Sequence, residues 1–221
     1  MPHPPEKGIY QIILYSIREF KMFNFMCSLL ILLILSSVLE DYKYAYFIIN
    51  ILSIIVIFSG VYAASSNRKN IYILLILGLP WFLSDWIYLT STNTVFLGFF
   101  FFLYVTLTIF DMILKSKEIT PNTLYGAVCV YLLLGLLWAS IYGLINHVSP
   151  GSIFQGSGVM GEMTSNDIIY FSYTTLTSLG YGDIATVTPT GRIMSVLEAI
   201  IGQLFIAFMV ARLIGIYTKK A

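Results

Sequence analysis

Residues 174–183 read T-T-L-T-S-L-G-Y-G-D, and they are the stretch whose residue types and spacing could do chemistry. The stretch is polar, carries two glycines, and lies between apolar segments long enough to span a membrane. In hydrocarbon, backbone that is not helical persists only where it is buried in protein or lines a water-filled path, because every unpaired peptide group is costly there. This stretch is therefore the first candidate for a functional site.

The composition indicates an all-α integral membrane protein. Apolar residues make up 58% of the chain and charged residues only 10%, with a mean hydropathy of +0.85, whereas about 25% of residues are charged in soluble proteins. The net charge is +1 and the basic residues form no continuous stripe, so nucleic acid is not an expected partner. The sequence contains no HExxH, P-loop or G-x-S-x-G motif, so we expect neither an enzyme nor a soluble substrate.

Four further features are not expected. Cys27 and Cys129 both lie in apolar runs without CxxC or Cys/His spacing, which argues against a metal cluster and against a disulfide framework. The first twenty residues contain Glu6 and Glu19 and lack an A-x-A site, so a removed signal peptide is not predicted. No cofactor is expected.

Six apolar runs predict six transmembrane helices. They cover residues 22–39, 44–64, 71–89, 94–114, 123–146 and 193–217. Each has about 20 residues, the length that a hydrocarbon core of about 30 Å requires of a helix. Residues 10–21 combine an apolar pattern with cationic flanks, which favours a helix at the cytoplasmic interface.

The basic residues predict the orientation of these spans. If the N-terminus is cytoplasmic, ten of the twelve lysines and arginines lie at the inner side, and only Lys43 and Arg192 lie outside. Because short cytoplasmic loops carry an excess of Lys and Arg, we expect both termini in the cytoplasm of a cell inner or plasma membrane.

The connection between the fifth and sixth runs has two parts. Residues 147–164 are rich in Gly, Ser and Pro and indicate an extracellular loop. Thr164 or Ser165 can then cap a short helix at about residues 165–177, with Asp167 in its first turn. At about 1.5 Å per residue this helix is too short to cross, so the chain enters the membrane, stops, and returns in extended form.

Residues 175–183, T-L-T-S-L-G-Y-G-D, resemble the T-x-x-T-x-G-Y-G-D signature of the tetrameric potassium channel superfamily. The resemblance covers about residues 124–217. It implies a homotetramer in the lipid bilayer, with a re-entrant pore helix and a selectivity filter between helices 5 and 6, arranged around a central pore. Potassium would be the permeant ion.

The resemblance also implies where potassium binds. The carbonyls of Ser178, Leu179, Gly180 and Tyr181 would replace the water of the ion, with the Ser178 hydroxyl at the inner end of a filter that includes Gly182. Both glycines tolerate the unusual φ values that turn successive carbonyls toward one axis. Ser178 stands where the family usually has threonine and Leu179 where valine is more common, which leaves a weakly selective cation channel as an alternative.

Residues behind the filter are assigned by the same resemblance. Tyr170 and Phe171 on the short helix would brace the filter, and Asp183 would turn back behind it. The Tyr170 hydroxyl and Thr174 are the expected hydrogen-bond partners of Asp183. Many family members carry a carboxyl group at the position of Thr174.

The sixth run contains the candidate gating residues. Gly202 lies at the family's spacing for a hinge glycine, although a small residue also serves close helix packing. Ile206 and Val210 would line the cavity below the filter. Glu198 is a carboxyl group inside a span, which leaves two roles open: a structural hydrogen bond behind the filter, or a part in gating or pH response.

These assignments divide the chain into an N-terminal segment (1–21), a peripheral four-helix region (22–117) and a pore domain (118–221). The fourth run contains no Arg or Lys, so voltage, which does about 2.3 kcal/mol of work per charge per 100 mV, has almost nothing to act on. We therefore expect a potassium channel that is not voltage-gated. Asp85 in the third run is either structural or a remnant of a sensor, and no ligand-binding domain is expected beyond Lys220.

Two other classes of function stay open. A secondary transporter with a broken helix would show inverted halves, which the sequence lacks. A membrane scaffold that does not conduct would show no ion flux.

Overall fold

The computed structural model describes residues 20–39, 42–65, 68–86, 92–155 and 163–218. Their helices and strands, in chain order, are α1 Lys21–Val38, α2 Ala45–Ala63, α3 Arg68–Trp86, α4 Thr92–Lys115, α5 Pro121–Val148, β1 Ile153–Gln155, α6 Ser165–Leu176, β2 Ile184–Thr186 and α7 Pro189–Thr218. Each predicted apolar run coincides with one helix, with ends that shift by a few residues. The predicted helix at 10–21 lies almost wholly outside the described residues, as does the side chain of Asp85.

Four helices, α1, α4, α5 and α7, are long and apolar enough to cross a membrane, judged by length and composition. The apolar stretches of α2 and α3, Phe47–Ala63 and Lys69–Trp81, are shorter. The chain is therefore helical with at least four candidate spans among its described residues.

The helix starts follow local sequence signals. Thr120 precedes α5 and its hydroxyl accepts a hydrogen bond from the Thr123 N–H at 3.2 Å, while Pro121 takes the first helical position, where no N–H is needed. Arg192 lies in the first turns of α7, which begins at Pro189, four residues before the predicted start at 193. A proline at the first position again explains the earlier start.

One apolar cluster packs α1, α3 and α4 against α5. Its fully buried members include Phe25 of α1, Leu74 of α3, Phe101 of α4 and Leu133 of α5. Small residues let these helices approach: a Cβ on Gly60 would lie 3.0 Å from the Phe25 ring. Burial in this core holds α5 in place, and α5 in turn positions α6.

A two-stranded antiparallel sheet was not predicted from the sequence. β1 pairs with β2 in the register Ile153 with Thr186, Phe154 with Ala185 and Gln155 with Ile184. Residues 147–164, expected to form an extracellular loop, thus contain a strand that pairs with the segment after Asp183. Ile153 and Ile184 are buried, so this sheet fixes the far end of the glycine loop, which we define as residues 178–183.

Candidate functional site

The short helix α6 delivers the chain to the glycine loop. Its N-terminus carries a full capping box: the Thr164 hydroxyl accepts from the Asp167 N–H at 3.2 Å, and the Asp167 carboxylate accepts from the Thr164 N–H at 3.0 Å. This arrangement confirms the predicted cap. The helix has 12 residues and ends at Leu176, so it is about 18 Å long, well short of the roughly 30 Å hydrocarbon core.

The glycine loop alternates between two backbone conformations. Ser178, Gly180 and Gly182 have φ values of 58°, 54° and 80°, while Leu179 and Tyr181 between them do not have positive φ. Alternation of left-handed and right-handed residues turns successive N–H groups to one side of the chain, and hence the carbonyls to the other. The two glycines adopt the positive φ values expected of them, and Ser178 adopts one as well.

Hydrogen bonds occupy the N–H side of this loop. The N–H groups of Leu179 and Gly180 both donate to the Thr174 carbonyl, at 2.9 and 3.1 Å, and the Ser178 N–H donates to Thr175 at 2.9 Å. None of the bonds formed among the described residues ends on the carbonyl oxygens of Ser178, Leu179, Gly180 or Tyr181. The carbonyls near the C-terminus of α6 thus bind the N–H groups of the loop, while these loop carbonyls accept no hydrogen bond from a described residue.

The support behind the loop agrees with the sequence expectation in part. The Tyr170 hydroxyl donates to Asp183 at 2.8 Å, and this hydrogen bond raises the pKa of Tyr170 above its ordinary value, so the phenol remains a donor. Phe171 is buried against the Tyr142 ring, with ring centroids 4.9 Å apart. Both contacts lie where a brace was expected.

The expected hydrogen bond between Thr174 and Asp183 is wrong. The Thr174 hydroxyl instead donates to the Phe171 carbonyl at 3.0 Å, inside its own helix. A threonine in a helix reaches back three or four residues to such a carbonyl, and its hydroxyl has a single hydrogen to donate. Thr174 supports the loop through its own carbonyl, as described above.

Glu198 is fully buried and joins three helices. Its Oε2 accepts from the Tyr142 hydroxyl of α5 at 2.6 Å, and its Oε1 lies 2.6 Å from the Ser172 hydroxyl of α6. The sequence left a structural and a gating role open for Glu198. The structural hydrogen bonds are present, and they tie α7 to α5 and α6.

Gly202 is a packing residue in this structure. A Cβ at Gly202 would overlap the carbonyl oxygen of Leu176, the last residue of α6. The helix α7 runs through Gly202 without interruption from Pro189 to Thr218. The structure shows the close packing that the sequence left open, because α6 and α7 meet at a point where only hydrogen fits; the hinge role of Gly202 stays a prediction.

Gln203, the next residue along α7, was not predicted to have a role. Its amide Nε2 lies 3.1 Å from the Ser178 hydroxyl and 3.5 Å from the Thr177 carbonyl, so it touches the inner end of the glycine loop. The signal in the sequence that could have indicated a role for Gln203 is that it is a polar residue within an apolar run. Ile206 and Val210, expected to line a cavity, lie farther along α7, and both are exposed in the single chain.

The C-terminal part of the chain is similar to a known family. Residues 128–219 match the model of a family described as ion channel, which is not a class of enzyme. No curated protein matches the chain. The match includes most of α5 and all of α6, the glycine loop and α7, but less than half of the chain. Taken with the four long apolar helices, it indicates an integral multi-pass membrane protein in which residues 128–219 form a region similar to an ion channel domain.

Proposed function

We propose that this protein is a passive potassium-selective channel whose ions pass along the carbonyls of Ser178, Leu179, Gly180 and Tyr181. The backbone alternation carries the proposal: positive φ at residues 178, 180 and 182 turns the carbonyls to one side, and α6 occupies the N–H groups on the other. A row of carbonyls in this state can replace the hydration shell of a potassium ion.

Four copies would complete the pore. One chain supplies one glycine loop and hence one side of an ion path, so a ring of carbonyls requires a closed, symmetric oligomer. The Leu179 and Tyr181 side chains are 56% and 68% exposed in the single chain, which supports contacts with neighbouring subunits. The proposal includes six spans, both termini in the cytoplasm, and a division into peripheral helices and a pore domain near residue 118.

Voltage gating is not part of the proposal. The helix α4 carries a single cation, Lys115, at its last residue. Lys115 is paired with Asp111 at 2.6 Å and lies at the end of the helix, so it offers no row of charges on which a membrane potential could act.

Replacement of Gly180 tests the proposal. Gly180→Ala places a Cβ on a residue with φ of 54°, which costs about 1–2 kcal/mol and turns the loop carbonyls away from their common side. We expect potassium flux into liposomes that contain purified Gly180→Ala protein to fall at least about tenfold, in keeping with that cost.

Gly151→Ala is the matched control. Gly151 has φ of 79° and nothing within 4 Å of a built Cβ, but it lies between α5 and β1, outside the glycine loop. It carries the same backbone strain without touching the proposed ion path. Equal flux through wild type, Gly180→Ala and Gly151→Ala would contradict the proposal, as would a wild-type protein without flux.

A weakly selective cation channel is the second candidate, and the wild-type permeability ratio of potassium to sodium separates the two. The contact of Gln203 with Ser178 bears on that ratio. In Gln203→Leu the Ser178 hydroxyl loses its 3.1 Å amide donor. A hydrogen bond of about 1 kcal/mol then no longer orders the inner ligand. We expect the permeability ratio of potassium to sodium, measured from reversal potentials, to fall about fivefold from a high wild-type value.

A wild-type ratio near unity would favour the weakly selective channel. The control for this measurement is Gln203→Asn, whose shorter amide tests whether reach or polarity matters. An unchanged ratio in Gln203→Leu would remove Gln203 from the site.

A further inference from the structure

The contacts of Glu198 with its neighbours indicate whether its carboxyl group carries a proton. Its side chain is fully buried, and both of its oxygens make short contacts with hydroxyl groups, Oε1 with Ser172 and Oε2 with Tyr142, each at 2.6 Å. The Tyr142 hydroxyl donates the hydrogen of the second contact. The hydrogen of the first contact has two possible sources, the serine or the acid.

The Gly135 carbonyl decides between them. The Ser172 hydroxyl lies 2.7 Å from this carbonyl oxygen as well as 2.6 Å from Glu198. A serine hydroxyl has one hydrogen and a carbonyl can only accept, so Ser172 must donate to Gly135. The contact with Glu198 then requires a hydrogen on Oε1. An ionised Glu198 would leave two acceptors facing each other at one of these short distances.

No Lys or Arg among the described residues forms a salt bridge with Glu198. Among the residues that the structure describes, Lys115 and Asp111 form the one salt bridge. The titratable groups that face Glu198 are phenols: Tyr142 and Tyr131 from α5 and Tyr173 from α6. A buried carboxylate without a cationic partner is expensive, while the neutral acid can both donate and accept.

We propose that Glu198 is a protonated acid that positions α6: it donates to Ser172, accepts from Tyr142, and so fixes the short helix against α5 and α7. The Ser172 hydroxyl in turn donates its own hydrogen to the Gly135 carbonyl of α5. The carbonyls near the C-terminus of α6 accept hydrogen bonds from the N–H groups of the glycine loop. The hydrogen bonds of Glu198 therefore position the loop by positioning α6. The effect of Glu198 on conduction rests on the proposed function, whereas the inference that Glu198 is protonated does not depend on it.

Glutamine is the matched replacement because it has the shape of a protonated acid. In Glu198→Gln the amide nitrogen donates to Ser172 and the amide oxygen accepts from Tyr142, so every contact survives without a charge. We expect its thermal midpoint to stay near that of wild type and its potassium flux to stay within about twofold. In Glu198→Leu both hydroxyls lose their partner, and we expect flux to fall about tenfold or more.

Infrared spectroscopy of the wild-type protein in lipid provides a readout that needs no ion flux. The C=O stretching band of a protonated carboxylic acid, distinct from the carboxylate bands, should be present in wild type at neutral pH and diminished in Glu198→Gln. A wild-type spectrum without a difference from Glu198→Gln in this region would overturn the proposal. A folded Glu198→Gln protein that loses as much thermal stability as Glu198→Leu would also overturn the proposal. Glutamine keeps the hydrogen bonds of a protonated acid, so an equal loss in both variants would mean that the charge of an ionised carboxylate is what stabilises the wild type.

These outcomes are separable from failure of the channel proposal. If wild type carries no potassium, the proposed function fails, while the infrared band and the thermal midpoints still test the proton. Should Glu198→Leu fail to fold, Ser172→Ala supplies the second variant: it removes the acceptor of the acid proton, and we expect the C=O band to shift. An unshifted band would contradict the contact.

Discussion

Gly202→Ala should lower the thermal midpoint of the purified protein by about 6 °C or more. The added Cβ would overlap the backbone carbonyl of Leu176, and a backbone atom at the end of α6 cannot rotate away as a side chain would. The same carbonyl accepts a hydrogen bond from Tyr131 at 3.3 Å, so a shift of α6 also strains its contact with α5. We expect the loss in stability to be accompanied by loss of potassium flux, measured in liposomes.

Gly215→Ala on the same helix is the control for that measurement. A Cβ at Gly215 has nothing within 4 Å, and alanine is favoured over glycine in a helix by about 1 kcal/mol. This variant should therefore have an unchanged or slightly higher thermal midpoint. If Gly202→Ala were as stable as Gly215→Ala and changed only the rate of channel opening, Gly202 would be a hinge and the packing interpretation would be wrong.

Local patterns in the sequence predicted the parts of the site that depend on local physics. Thr164 and Asp167 lie three residues apart, the spacing of a capping box, which made Thr164 one of two candidate caps, and α6 does start after it. Gly180 and Gly182 are the residue type that accepts positive φ, and both adopt it. The apolar runs gave the helices because the length of a span and its composition are properties of one segment.

Contacts between residues far apart in the chain could not be predicted from the sequence. The Thr174 hydroxyl had two possible partners, Asp183 across the loop and the Phe171 carbonyl within its own helix. The helix geometry determines that it bonds the carbonyl in its own helix. The roles of Gln203 and Glu198 depend on the height at which α7 packs on α6, which the Leu176 carbonyl and Gly202 set. The strand pairing of Ile153 with Thr186 joins residues on either side of α6, and three-residue strands carry too little pattern to predict.

Arg212 is the clearest example of a role that no local pattern reveals, since its Nη2 on α7 reaches the last turn of α4. It lies 2.5, 2.7 and 3.0 Å from the carbonyl oxygens of Ile113, Leu114 and Ser116. The last carbonyls of a helix lack partners within it and carry partial negative charge, so a cation there both bonds and neutralises them. Farther along the same pair of helices, Phe110 packs on Phe205 with centroids 6.4 Å apart.

Arg212→Gln should therefore destabilise the protein by about 1.5–3 kcal/mol, the range for hydrogen bonds to a charged group. Amide hydrogen exchange should become faster at residues 113–118, where the carbonyl ends of α4 lose their donor. The measurement is the thermal midpoint together with exchange followed by mass spectrometry on the purified protein in lipid.

Lys115→Gln provides the comparison that separates bonding from charge. Lys115 lies at the same end of α4, but its side chain is 76% exposed and its partner is Asp111 one turn earlier. An exposed pair of this kind contributes about 0–1 kcal/mol, so Lys115→Gln should shift the midpoint little. Both variants remove one positive charge from the C-terminus of α4. Equal effects would mean that the general field of the helix matters and the three bonds do not. A large effect confined to Arg212→Gln would show that the bonds from this side chain to the carbonyls at the end of α4 stabilise the packing of α7 on α4.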